Sequence, residues 1–325
     1  MKRYNFTNLL FLFKIQSMIR RIYLMLFLVV FAACDDGDVI STDLEFSQQL
    51  ERCDNFEDSY LIFDTREDPS ESLSLILPKN EDTELLFTEP TPEDMPEIRT
   101  INENTIRFNY RRYNRVLETN DLCSIIPPAN LDITGDFEAP SGQIIITVTI
   151  DDDDNDGIPS EDEGRDPNGD GDFSDAIDTD NDGIANYLDE DDDNDNIKTI
   201  NEDDNFDGDA NPFTDAKNTD GDMLPNYLDP DDDDDGIPTR LEDENEDGIP
   251  QNDLVVDAEG INIARYLYNL ATDIYTDPGS VANEYQRTVF TTFLVINVSL
   301  GPISATEIEF GTYTNVIDNY SPPED

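Results

Sequence analysis

The sequence contains no histidine and no tryptophan, and 19 lysines and arginines face 77 aspartates and glutamates. Without histidine, a Ser-His-Asp triad, a Cys-His pair and a histidine-rich zinc site are excluded. Without tryptophan, the strongest sugar-stacking side chain is missing, although the 13 tyrosines and 17 phenylalanines can substitute. The formal charge of −58 repels a phosphate backbone, so nucleic acid is excluded as a natural partner. No Gly-x-Ser-x-Gly elbow, phosphate-cradling Gly-rich loop or zinc signature appears. Paired carboxylates of the kind used in glycoside hydrolysis are so abundant that they carry no weight. The longest apolar run, Ile22 to Ala32, is too short for a bilayer core, which needs about 20 residues.

That run has a different use. Residues 18–34 read MIRRIYLMLFLVVFAAC: Arg20 and Arg21 precede the apolar stretch, and small residues lead to Cys34. The arrangement resembles a bacterial lipoprotein signal, with Phe31 departing from the usual Leu. The resemblance implies a signal peptide over 1–33, with Met18 as an alternative start, and a membrane anchor on lipidated Cys34. Asp35, Asp36 and Asp38 open an acidic tether over 34–45, similar to the surface-export tethers of Bacteroidota lipoproteins. An outer-membrane lipoprotein facing the cell surface is therefore expected. In an oxidising export compartment the remaining cysteines, Cys53 and Cys123, can form a bridge or stay as two buried thiols. A bridge across this span would contribute about 4 kcal/mol in the chain-entropy model.

Residues 56–150 alternate like half-buried strands. Ile144, Ile146, Val148 and Ile150 share a face, as do Ile106, Phe108 and Tyr110. Leu61 with Phe63, 72–77 and 84–87 read as further strands. Beyond residue 253 a linker leads to more strands, with Leu294, Ile296 and Val298 on one face and Ile308 and Phe310 on another. The expected fold is mainly β: a discontinuous antiparallel β-sandwich whose first part is 46–150 and whose last strands lie within 254–325. Two separate small β units are the alternative.

Between them, 151–253 holds 41 aspartates and glutamates against four lysines and arginines. The acids are in phase. Counting from Asp152, positions 1, 3 and 5 are Asp152, Asp154 and Asp156, position 6 is Gly157, position 7 is Ile158 and position 12 is Glu163. The same frame fits Asp178, Asp180, Asp182, Ile184 and Asp189, and again Asp231, Asp233, Asp235, Ile237 and Glu242. Asp191, Asp193 and Asp195 lead to Glu202 with Asn196 in the glycine place; Asn218, Asp220 and Asp222 lead to Asp229 with Met223 there. Looser copies comprise Asp166, Asn168 and Asp170; Asp203, Asn205 and Asp207; and Asp243, Asn245 and Asp247. Successive starts are 12 to 15 residues apart, and a longer repeat of about 40 residues overlies them, from DTDNDGIANYLDE at 178 to NTDGDMLPNYLDP at 218.

Calcium explains such spacing. It takes six to eight oxygens at about 2.3–2.6 Å. Carboxylates at 1, 3 and 5 of a tight turn converge, glycine at 6 permits the reversal, position 7 offers a carbonyl and position 12 closes the shell. The short steps leave no room for the flanking helices of an EF-hand. The repeats resemble thrombospondin type 3 repeats, here without the disulfides of the animal modules. The whole arrangement is also similar to uncharacterised flavobacterial surface lipoproteins. The resemblance implies a row of Ca²⁺ ions around which a segment with little apolar core is wound. Without metal, such a composition is that of a disordered chain.

The function expected is that of a non-enzymatic, calcium-binding, lipid-anchored envelope protein with a calcium-stiffened arm and a structural or adhesive role toward a glycan or surface protein. The alternative is an envelope hydrolase or prolyl-isomerase accessory carrying the repeats as a spacer. A small basic island, Arg107, Arg111, Arg112 and Arg115, offers either an anionic-ligand site or a solvated face that offsets nearby carboxylates.

Overall fold

The computed structural model describes residues 46–92, 95–301 and 303–321. Cys34, the signal segment and the tether lie outside the described residues.

The described chain is mainly β and antiparallel. One sheet takes the order β1-β2-β3-β5-β6, built from Glu51–Cys53, Ser59–Arg66, Glu71–Pro78, Arg107–Tyr113 and Ile133–Glu138. The second takes the order β11-β10-β7-β4, from Ile303–Tyr320, Tyr285–Leu300, Gly142–Thr149 and Glu97–Ile101. The second sheet joins strands from both sides of the acidic segment: Ile146 of β7 pairs with Phe293 of β10. The chain thus leaves the sandwich from one strand and re-enters on its neighbour.

Alternation explains the core. Ile144, Ile146 and Val148 of β7 face inward with Val289, Phe293 and Val295 of β10, against Leu73, Leu75 and Leu77 of β3 and Phe108 of β5. Phe310 of β11 bridges the layers, with its ring 5.2 Å from Phe108 and 6.4 Å from Phe293. Each such side chain contributes about 1.5–3 kcal/mol on leaving water. The five-stranded sheet is stapled by the Cys53–Cys123 disulfide, which closes a loop of sequence separation 70.

Three expectations are corrected. Residues 84–87 are not a strand: Asn80 accepts from the Thr83 N–H and starts a helical turn, α1 (Glu81–Glu84), which runs into a 3₁₀ turn at Leu85–Phe87. On β2 the more deeply buried face carries Tyr60 and Ile62, while Leu61 is half-buried. On β10 Leu294 and Ile296 lie on the face opposite Phe293 and Val295; Asn297, in the left-handed region (φ 57°), reverses the alternation so that Val298 and Leu300 return inward.

The acidic segment has no long element. Its regular structure consists of three- and four-residue turns, among them Asn186–Leu188, Thr199–Asn201, Asn226–Leu228, Thr239–Leu241 and the single helical turn α2 (Pro212–Asp215). After it come a small hairpin, β8 (Leu254–Val256) with β9 (Asn262–Ala264), and an extended return over 269–284. That return runs back along the acidic coils. Tyr275 N–H donates to the Leu241 carbonyl, Val281 N–H to Asn196 Oδ1 at 3.1 Å, and the Tyr285 hydroxyl to the Leu188 carbonyl at 3.2 Å.

Candidate metal centres of the acidic array

Each loop is built by its own aspartates. The carboxylate at position 5 accepts the N–H of position 7, as in Asp156 with Ile158 (2.7 Å), Asp182 with Ile184 (2.8 Å) and Asp235 with Ile237 (2.8 Å). Position 1 accepts the N–H of position 6, as in Asp152 with Gly157 (3.2 Å) and Asp191 with Asn196 (3.0 Å). These bonds hold positions 4 and 6 in the left-handed region: Asn155 has φ 63° and Gly157 φ 99°. Asn196 takes φ 73° in the glycine place, a conformation asparagine tolerates. Met223 does not share it; the side chain is 96% exposed and the left-handed residue of that loop is Gly221 (φ 76°).

At position 1 both oxygens accept backbone N–H groups, as in Asp152 and Asp191. At positions 3 and 5 one oxygen is used in the turn, and the other, as in Asp154, Asp156, Asp193 and Asp195, has no hydrogen-bond partner. Carboxylate oxygens of the three positions converge. Asp152, Asp154 and Asp156 bring carboxylate oxygens within 4.8 Å of one another, as do Asp178, Asp180 and Asp182, and Asp191, Asp193 and Asp195. Glu242 stands beside Asp233, Asp235 and Asp231. Asp189 is buried at the end of its loop; Asp229 is half-buried near Asp220 and Asp222, and Asn218 Oδ1 accepts the Gly221 N–H.

The looser copies close differently. Asn168 donates to Asp175 and Gly169 N–H to Asp166. Asp203 lies against Asp215, which also accepts from the Phe206 and Asp207 N–H groups, with Asn205 in the left-handed region. Asp243 lies against Asp253; Asn245 donates to Asn252, which in turn donates to Asp247. Asp175, Asp215 and Asp253 were not among the expected ligands. Their signal is an acid one or two residues short of, or past, position 12.

Two further groupings join separate loops. Glu163 meets Asp156 and Asp192, and Glu202 meets Asp195 and Asp232, each set within 4.8 Å. Asp192 and Asp232 lie outside the 1-3-5-12 frame. They follow the longer repeat, which brings successive coils of about 40 residues face to face.

The electrostatics are severe. Asp154 and Asp195 are completely buried and Glu202 is 1% exposed. Both oxygens of Glu163 and of Glu202 lack a hydrogen-bond partner. Burial, then the charge of Asp156, pushes Glu163 up to about 11. Burial raises Asp156 to about 8, and Glu242 to about 9 with the help of Asp233 and Asp235. Burial and then Asp195 hold Glu202 well above the usual carboxylate range. Unpaired carboxylates this deep are not sustainable as anions; they need protons or a bound cation. The donor set is all hard oxygen, with short-turn geometry and no sulfur or imidazole, and it fits a hard divalent ion.

The basic island is used within the sandwich. Arg107 pairs with Glu138, Arg111 with Asp136, Arg112 with Glu71 and Arg115 with Asp121. The chain matches no protein-family model, no curated protein and no solved structure.

Proposed function

We propose that the chain is a calcium-binding, lipid-anchored envelope protein in which the array is wound and stiffened by Ca²⁺, in a structural or adhesive role toward a glycan or another surface protein. The observation that carries this reading is the pair of buried carboxylate trios, Asp156–Glu163–Asp192 and Asp195–Glu202–Asp232, whose glutamate oxygens have no protein partner. Ca²⁺ supplies what those oxygens lack, and ordering of the coils follows from ligation. Membrane attachment through Cys34 and surface display belong to the same proposal.

Calorimetric titration of residues 34–325 with calcium tests it. Uptake of several ions is expected, with contraction in X-ray scattering that a chelator reverses. No uptake at millimolar calcium, with an unchanged scattering profile, overturns it. A glycan array probed with the calcium-loaded chain tests the adhesive part.

A further inference from the structure

Three aspartates outside the local ligand frame hold equivalent places in successive coils. The Asp153 N–H donates to the Ser160 hydroxyl at 2.9 Å, and Asp192 and Asp232 do the same to Thr199 and Thr239 at 3.3 Å. Ser160, Thr199 and Thr239 are completely buried. The three aspartates themselves are each 2% exposed.

What their carboxylates face differs. Asp153, in the first coil, meets the sandwich: its carboxylate pairs with the buried Arg287 of β10, and Arg165 lies 3.7 Å away. Asp192, in the second coil, has the same setting but meets Asp156 and Glu163 of the coil before. The charges that act on it most strongly are the anions Asp156, Asp189 and Asp191, and the Asn186 amide offers only partial relief. Asp232 meets Asp195 and Glu202, with Lys217 nearby. One lysine, whose own charge burial disfavours, stands there against three carboxylates. The first coil thus shows what the position requires, a fixed cation, and the second coil has no side chain that supplies one.

Resting on the calcium reading above, we propose that Asp192 and Asp232 are cross-coil ligands: each reaches back one coil and closes a divalent-cation site begun by Asp156 and Glu163, or by Asp195 and Glu202. Such a site is complete only when two coils are docked. Ion uptake and coil stacking are then one event. Arg287 gives the first coil the equivalent contact without metal, so stacking starts from the sandwich.

Terbium in place of calcium, read by tyrosine-sensitised emission from residues 34–325, tests this. Tyr227 stands beside Asp192, Asp156 and Glu163, and Tyr266 beside Asp232, Glu202 and Asp195, so each tyrosine reports one cross-coil site. Tyr227→Phe and Tyr266→Phe define the two shares of the signal. Asp192→Asn is expected to remove the Tyr227 share, or to shift its half-saturation on the order of tenfold, because affinity follows ligand charge. The Tyr266 share is expected to remain. Asp170→Asn, confined to one exposed loop, is expected to leave the Tyr227 share in place. Should Asp192→Asn abolish both shares, Asp192→Glu decides: restoration of the Tyr227 share supports ligation, and failure to restore it overturns the proposal in favour of packing. A full Tyr227 share in Asp192→Asn overturns cross-coil ligation and leaves the calcium reading standing. Failure of the wild-type chain to take up either terbium or calcium overturns the calcium reading instead.

Discussion

In the sandwich, the side chains wholly withdrawn from water include Ile62, Leu75, Phe108 and Phe310; in the array they include Asp154 and Asp195. Both regions bury atoms to the same depth. In the first, burial is itself the favourable term, worth about 25 cal/mol per Å² of apolar surface. In the second, burial opposes folding unless something cancels the charge. The lesson is that compactness has two sources in one chain. One is carried by the sequence alone; the other depends on an ion or on protons. The ends of the array make the same point with protein cations, Arg287 beside Asp153 and Arg265 beside Glu242.

Chelation should separate the two regions most sharply. With metal removed at neutral pH, amide exchange protection across 151–253 is expected to collapse while the ladders among β2, β3, β5, β7 and β10 keep theirs. Loss of protection in both regions together, measured by hydrogen-exchange mass spectrometry, would show that the sandwich depends on the array after all.

Protons should replace the ion next. Glu163 and Glu242 are raised to about 11 and about 9, far above their value of 4.5 in the unfolded chain. A raised acid binds its proton more tightly when folded. Its contribution is therefore complete below about pH 4 and is lost as pH rises through the folded-state values. Metal-free array is expected to be more compact at pH 4 than at pH 9, whereas calcium uptake runs the other way because bound protons must leave. A metal-free hydrodynamic radius that is flat between those two values would contradict it.

Reduction of Cys53–Cys123 should act on one side of the comparison. The sandwich is expected to lose about 4 kcal/mol, from a loop of sequence separation 70. Calcium stoichiometry is expected to stay constant. Denaturant unfolding of a double Cys→Ser variant, with calorimetry alongside, reads both.

The smallest effect should lie at the turns. Gly157→Ala places a Cβ about 2.1 Å from the Ala210 carbonyl oxygen, in a left-handed residue, and is expected to cost about 1–3 kcal/mol. Met223→Gly, at the equivalent place but exposed and not left-handed, is expected to change stability by less than about 1 kcal/mol. Thermal melts of the two calcium-loaded variants make the check.

Much of this was legible from spacing. Period-two alternation located β3, β5 and β7, because each has one face in the core. It misread the face of β10, since a single left-handed asparagine resets the parity and alternation does not announce it. It missed α1, whose start depends on one capping side chain. In the array, the local frame located the converging carboxylates of Asp152, Asp154, Asp156 and their counterparts, because they lie within one turn of chain. Asp192 and Asp232 escaped it, because their partners lie a full coil earlier. The visible clue was a second, slower repeat: an aspartate with a serine or threonine seven residues on, recurring at 153, 192 and 232. Arg287 left no local signal at all, since 134 residues separate it from Asp153.

The extended return over 269–284 has a mechanical consequence. It brings the chain home to β10, whose neighbour β7 is where the chain departed, so the coil is a side loop on one sheet. Force pulled through the two ends of the sandwich runs across hydrogen-bonded strands and bypasses the acidic coils. Unwinding those coils would slacken a loop without lengthening the path between the two ends of the sandwich.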